Sequence, residues 1–238
     1  MKLLSIVLFL FLPFSQQKDL NSTTLLQKMY ARYHGKWHSN LSFNQTTEMY
    51  KNDSLFKTQT WYEHILYPDK LRIDFDSLKS PNGIIFRNDS TYVIVKNKLT
   101  RSVKNENELI FFLGGLYFVP FDQVLAHFKD LHYDLSKFRT DTWKGKPVYV
   151  IGSDKADEKV NQLWIDQEKL VAVRFIKYDG GTKEEGTFEN QLALKGAWSE
   201  TLCKFYVNDH ILQVEKYHDV VAGGPVDKSI FEPGMVGK

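Results

Sequence analysis

The stretch TWYEHILYPDKLRIDFD, residues 60 to 76, limits the folds open to this chain more than any other: two β-like runs meet at a Pro-Asp turn. In the second run Leu71, Ile73 and Phe75 point one way while Arg72, Asp74 and Asp76 point the other. That period of two is the mark of a half-buried antiparallel strand. A slip of one residue would bury three charges together, so the first set is expected on a core or cavity face and the second in solvent. The first run is mixed. Trp61, Ile65 and Tyr67 share a face with Glu63, and Tyr62 and Leu66 share the opposite face with His64. Such faces suit a sheet that lines something.

Similar runs follow at short intervals. Residues 37–50, 56–67, 70–76, 83–87, 91–96 and 98–103 are separated by Asn, Asp, Gly and Pro, which predicts a meander of hairpins. Runs at 146–153, 161–167, 170–179, 184–195, 198–206 and 210–218 continue it after an interruption. The interruption is ELIFFLGGLYFVPFDQVLAHFKDL, residues 108 to 131, where Phe121, Val124, Leu125, Phe128 and Leu131 recur at helical spacing behind Pro120. Before the first strand, Thr24-Leu-Leu-Gln27 has the form of a capping box, and Leu25, Leu26, Met29, Tyr30 and Tyr33 run at helical spacing up to Gly35. The expectation is a mainly β (α+β) domain over 19–238: one antiparallel sheet of about eleven strands, with an N-terminal helix and a helical insertion. A sheet of that size curls or closes rather than staying flat, and helices then cover its open face.

The chain opens MKLLSIVLFLFLPFSQQ, one Lys followed by an apolar run from Leu3 to Phe14, which reads as a signal peptide over residues 1–18. The run is shorter than the roughly 20 residues of a membrane-spanning helix, and no later stretch of that length is free of charge. Cys203 is the only cysteine, so neither an internal disulfide nor a lipidated cysteine at the cleavage point is expected. These signs point to an exported, unanchored protein. Thirty-one Lys and Arg stand against 29 Asp and Glu, with no basic block, so nucleic acid is not an expected partner. Aromatic residues make up 14% of the chain, a content that fits either a pleated core or an apolar cavity.

Chemistry is hard to find. His34 and His38 are four apart, but Gly35 and the strand start at Lys36-Trp37 break the helix face they would share, so they read as exposed helix-end histidines and no metal site is expected. His127 and His132 are five apart and read as surface residues. No G-x-S-x-G occurs, and Cys203 in WSETLCKFYV reads as a small buried thiol. The glycines of YDGGT and VAGGPVD lack the frame of a phosphate loop and read as turns. No catalytic residue and no cofactor is expected.

The order of elements resembles the LolA-like periplasmic lipoprotein carriers and related lipoprotein-localisation factors. LYPDKLRIDF followed by GIIFRNDSTYVIVKNKL is similar to the family's Pro-containing turn, strand and hairpin. LVAVRFIKYD and VDKSIFEPGMV are similar to its last strands and closing Asp, Phe and Pro segment. The resemblance implies an incomplete, half-open β-barrel with an apolar concave face under a helical lid. It implies a ligand cavity at Leu71, Ile73, Phe75, Trp61 and Tyr67, a lid at Phe121, Val124, Leu125, Phe128 and Leu131, and a hinge at Gly114-Gly115. In that family an Arg before the turn Pro holds the lid by bonding to backbone carbonyls. Here the position is Tyr67, which can donate one hydrogen bond without the charge. The implied function is a monomeric periplasmic carrier for the acyl chains of a lipoprotein or a lipid. The alternatives are a regulator or assembly factor binding another envelope protein, and a lipid hydrolase, which lacks a visible nucleophile.

Overall fold

A computed structural model describes residues 20–105, 107–156 and 159–237. The predicted signal peptide lies outside the described residues. The chain enters through α1 (Ser22–Tyr33). Its cap lies a turn earlier than the motif Thr24–Gln27 suggests: the Asn21 side chain accepts from the Thr24 amide at 2.9 Å, and the Asn21 amide donates to Thr24 Oγ1 at 2.8 Å. An Asn can fill the cap position as well as Ser or Thr, so the Thr24 hydroxyl serves as its partner instead. Leu25, Leu26, Met29 and Tyr33 form the buried stripe of this helix.

The strands follow in two meanders. The first runs from β1 (Asn40–Lys51) and β2 (Ser54–Leu66) through β3 (Lys70–Phe75), β4 (Gly83–Arg87) and β5 (Ser90–Val95) to β6 (Lys98–Lys104). The second comprises β7 (Phe138–Trp143), β8 (Lys146–Ile151), β9 (Gln162–Asp166), β10 (Ala172–Asp179), β11 (Thr182–Glu189), β14 (Leu202–Val207) and β15 (His210–Ala222). A small hairpin of β12 (Leu192–Leu194) and β13 (Ala197–Ser199) lies between β11 and β14. The main sheet has thirteen strands in the order β6-β5-β4-β3-β2-β1-β15-β14-β11-β10-β9-β8-β7, and it is not closed.

The count therefore exceeds the expected eleven or so. One strand left out was β7, whose sequence FRTDTW lacks an apolar alternation because an edge strand needs only one neighbour and part of one buried face. The other differences come from two long runs, each of which divides into a short and a longer strand.

This order places the first strand, β1, beside the last, β15, near the middle of the sheet, and β6 and β7 at opposite edges. The connection from β6 to β7 must therefore travel the width of the sheet. That connection is the helical insertion: α2 (Glu108–Phe112), a 3-10 turn at Gly115–Phe118, and α3 (Phe121–Asp130). It lies with α1 on one face of the sheet. There a single apolar cluster joins Leu71 and Phe86 of the first meander, Leu163 and Ile165 of the second, and Leu26, Ile110, Leu116 and Phe128 of the helices.

The opposite face is covered locally. Against β3 and β4 sit the 3-10 turns at Lys228–Phe231 and Pro233–Met235, with Phe231 fully buried and Glu232 paired with Arg87. The covering corrects one expectation. Asp74 does lie on the face opposite Leu71 and Ile73, but it is only 4% exposed instead of facing solvent. It bonds Arg72 Nε at 2.7 Å and accepts the Lys79 amide at 3.0 Å, and these partners make burial of its charge tolerable. Asp76 is exposed, in the turn that follows β3.

Candidate ligand-binding cavity

By the alternation of a pleated strand the inward side chains are Trp61, Glu63 and Ile65 of β2, continued by Tyr67 just past its end, and Leu71 and Ile73 of β3. Beside them in the sheet come Phe43 of β1, Glu215 and Tyr217 of β15, and Cys203 and Phe205 of β14. With Leu109, Ile110 and Leu113 of the insertion above, these residues line a cavity of about 180 Å³. Of the five cavity residues expected from the sequence, Trp61, Tyr67, Leu71 and Ile73 line it. Phe75 does not: its ring packs on Trp61 at 5.3 Å, one pair further along the strands.

The roof is α2. Val124, Phe128 and Leu131 are buried in the common cluster with Phe121 and Leu125 packed against it, but none of these five touches the cavity. Asn107 caps α2 by accepting the Ile110 amide at 3.2 Å, and Glu108 pairs with Lys177 of β10, so the short roof helix is held at its start. α3 rests instead on α1, where Phe121 meets Tyr30 at 5.4 Å.

Three side chains of the N-terminal part grip backbone carbonyls of the insertion. Tyr67 donates to Leu113 at 3.0 Å, His34 Nδ1 to Tyr117 at 2.9 Å and Tyr30 to Val119 at 2.9 Å. Tyr67, next to the cis peptide before Pro68, is buried and stacks on Phe118 at 5.5 Å. Gly114 and Gly115 lie beside it and are buried. A Cβ on Gly114, which has φ +152°, would stand 2.5 Å from Trp37 Nε1 and 2.8 Å from the Tyr67 ring. One on Gly115 would stand 2.6 Å from the Pro68 carbonyl. Both positions admit only hydrogen where the insertion meets the turn.

The histidine expectations divide. His34 is exposed at the helix end, whereas His38 is 8% exposed against Trp37 and Tyr67, and among the described residues neither of its ring nitrogens has a hydrogen-bond partner. Without a partner for the charge, burial lowers its pKa to about 4, so the ring is neutral at pH 7. Among the described residues no group of three or more His, Cys, Asp or Glu is placed to hold a metal ion.

What the sequence did not disclose is that the cavity wall carries three carboxyls. Glu63, Glu200 and Glu215 are 7, 7 and 8% exposed. Glu215 accepts from Gln213 at 2.5 Å and from Tyr217 at 3.2 Å; among the described residues the Glu63 carboxyl accepts no hydrogen bond. Among the described residues no basic side chain lines the space. Burial, reinforced by the neighbouring Glu200 and Glu215 charges, pushes Glu63 well above the usual carboxylate range, and burial pushes Glu200 up to about 7. Glu215 is raised for the same reason. The Cys203 thiol, 3.4 Å from the Tyr217 hydroxyl, is raised by burial and then by these carboxyls, so it is no ready thiolate. The one signal in the sequence was Glu63 standing among Trp61, Ile65 and Tyr67. Glu200 and Glu215 come from segments more than a hundred residues away and had no such signal.

No protein-family model matches the chain, and no curated protein does. Solved structures do. The chain is similar to a DUF1329 family protein from Desulfovibrio piger, at 14% identity with a TM-score of 0.62, over 90% of this chain and 97% of that one. It is similar to a putative outer membrane lipoprotein-sorting protein domain from Vibrio parahaemolyticus, at 12% identity and a TM-score of 0.59, over 91% and 98%. It is also similar to a LolA superfamily protein from Nitrosomonas europaea, at 10% identity and a TM-score of 0.54, over 89% and 97%. The fold is LolA-like.

Proposed function

We propose that this LolA-like chain is an exported, monomeric, non-enzymatic carrier that shelters the acyl chain of a lipoprotein or of a free lipid on the helix-covered face of its sheet. In this reading the sheet is a half-open barrel and the protein works in the periplasm after loss of residues 1–18. The observation that carries it is the cavity between the aromatic inner face of β1, β2 and β15 and the roof helix α2, closed by the bond from Tyr67 to the Leu113 carbonyl.

At about 180 Å³ the space is smaller than the ~300–1,000 Å³ of typical small-molecule sites, so it corresponds to a closed resting form. An acyl chain enters by displacing α2 and replacing its apolar contacts. Gly114-Gly115 is the point about which the insertion turns, and the α3 face of Phe121, Val124, Leu125, Phe128 and Leu131 moves with it as the outer part of the lid. The driving force is adequate. At about 0.8 kcal/mol per CH2 buried, a chain of some fourteen carbons gains on the order of 10 kcal/mol before ordering costs.

Native mass spectrometry and lipid extraction of the protein recovered from cell envelopes test this. A copurifying lipid or lipoprotein, or saturable uptake of a neutral fluorescent monoacylglycerol by the stripped protein, is expected. Absence of both removes the carrier reading. A second reading, an assembly factor that binds another envelope protein, would then draw on β6, an edge strand paired in the sheet only with β5, whose residues, Leu99 and Val103 included, are all exposed.

A further inference from the structure

A cavity meant only for hydrocarbon has no use for three carboxyls in its wall. Each carboxyl taken from water carries a desolvation cost of several kcal/mol when charged, and the fold offers no basic residue in the cavity to offset it. Glu63 accepts no hydrogen bond among the described residues and faces the space directly. The three come from separate parts of the chain, on β2, after β13 and on β15, so the grouping is made by the fold. Phe43 and Tyr217, stacked at 4.0 Å, and Trp61 complete the wall beside them. Aromatic faces next to carboxylates are the surroundings in which an organic cation is held, by charge and by the ring quadrupoles together.

We infer that the cavity takes an amphiphile with a cationic amine head, the ammonium lying among Glu63, Glu200 and Glu215 and the apolar chain beneath α2. This rests on the carrier reading and names the ligand class within it. An ammonium supplies the positive charge and the donors that Glu63 lacks. An ammonium draws these acids into their charged form, whereas a fatty acid brings a carboxylate into a space that already disfavours negative charge and is rejected; an uncharged lipid of equal length falls between the two.

The test compares dodecylamine, monolaurin and lauric acid, each below its micelle concentration at neutral pH, as competitors of a neutral fluorescent acyl probe on the full chain. Wild type is compared with Glu63→Gln and with Glu63→Gln/Glu200→Gln. Dodecylamine is expected to bind tighter than monolaurin by about tenfold or more, and lauric acid more weakly than either. Glu63→Gln should reduce the amine preference, and the double variant should abolish it, so that dodecylamine and monolaurin compete alike. Urea unfolding and near-UV circular dichroism show that the variants are folded. Equal binding of all three ligands leaves the carrier reading standing and overturns this one. An amine preference that survives in the double variant overturns it as well. If the probe binds but none of the three displaces it, this inference falls and the carrier reading stands; if the probe never binds and no lipid copurifies, the carrier reading falls and takes this inference with it.

Discussion

Tyr67 shows how one atom can set the state of a much larger segment. Its hydroxyl is the cavity's bond to the insertion, donating to Leu113 from a buried position. Tyr67→Phe keeps the ring on Phe118 and leaves one carbonyl unpaired, so stability should fall by about 1 kcal/mol in urea titration. A loss above ~3 kcal/mol would mean that the hydroxyl does more than this single bond. Gly114 is the stricter position. Gly114→Ala combines an unfavourable φ with a Cβ driven into Trp37 and Tyr67, and should cost about 3 kcal/mol or expel the insertion from its seat. Near-UV circular dichroism of the tryptophans reports which; an unchanged spectrum together with unchanged stability contradicts the packing described here.

The secondary elements divide the work of the lid. α3 has the stronger helical pattern in the sequence and was the expected cover, yet it packs on α1, and the short α2 closes the cavity. A pattern of apolar residues tells which side of a helix is buried and leaves open what it is buried against. Leu113→Ala, at the C-terminal end of α2, should therefore alter affinity for a neutral acyl probe severalfold, because it removes cavity wall. Phe121→Ala, outside the cavity, should change stability more than affinity. Fluorescence titration of the two variants decides it, and the reverse result returns the roof to α3. The same limit of pattern reading applies to β3. Its alternation assigned the two faces, and only the turns at 228–235 explain why Asp74 on the outer face is buried.

For the molecule as a whole, the buried carboxyls set how stability follows pH. Glu200 titrates near 7 in the folded chain and near 4.5 once unfolded. Below 4.5 both states hold the proton. Between 4.5 and 7 only the folded state does, so stability falls as pH rises, and above 7 the loss is complete. The loss is on the order of 3 kcal/mol from this residue, and Glu63 and Glu215 act in the same direction. Carboxylates held low by partners, such as Glu48 beside Lys216 and Asp53 beside His210, work the other way, but they lie at the surface and are screened. Buried His38, lowered to about 4, also opposes the trend as pH falls below 6.5, a single group against three carboxyls. Urea unfolding should give greater stability at pH 5 than at pH 8, and Glu200→Gln should flatten the difference. An equal slope in the variant contradicts this assignment.

Local chemistry in the sequence was enough for the strands of both meanders except β7, the helix stripe of Leu25, Leu26, Met29 and Tyr33, the turn at Pro68 and the inward side of Leu71 and Ile73. Each depends on spacing within a few residues, where side-chain direction follows from backbone geometry. The edge strand β7, the roof role of α2, the burial of Asp74 and the gathering of Glu63, Glu200 and Glu215 were decided by tertiary structure. Pairing β1 with β15 joins segments about 170 residues apart, and no local period encodes which distant face a strand will meet. A lone glutamate in a strand reads as a solvated position until the fold brings its neighbours beside it; in this chain the neighbours are two more carboxyls and a wall of aromatic rings.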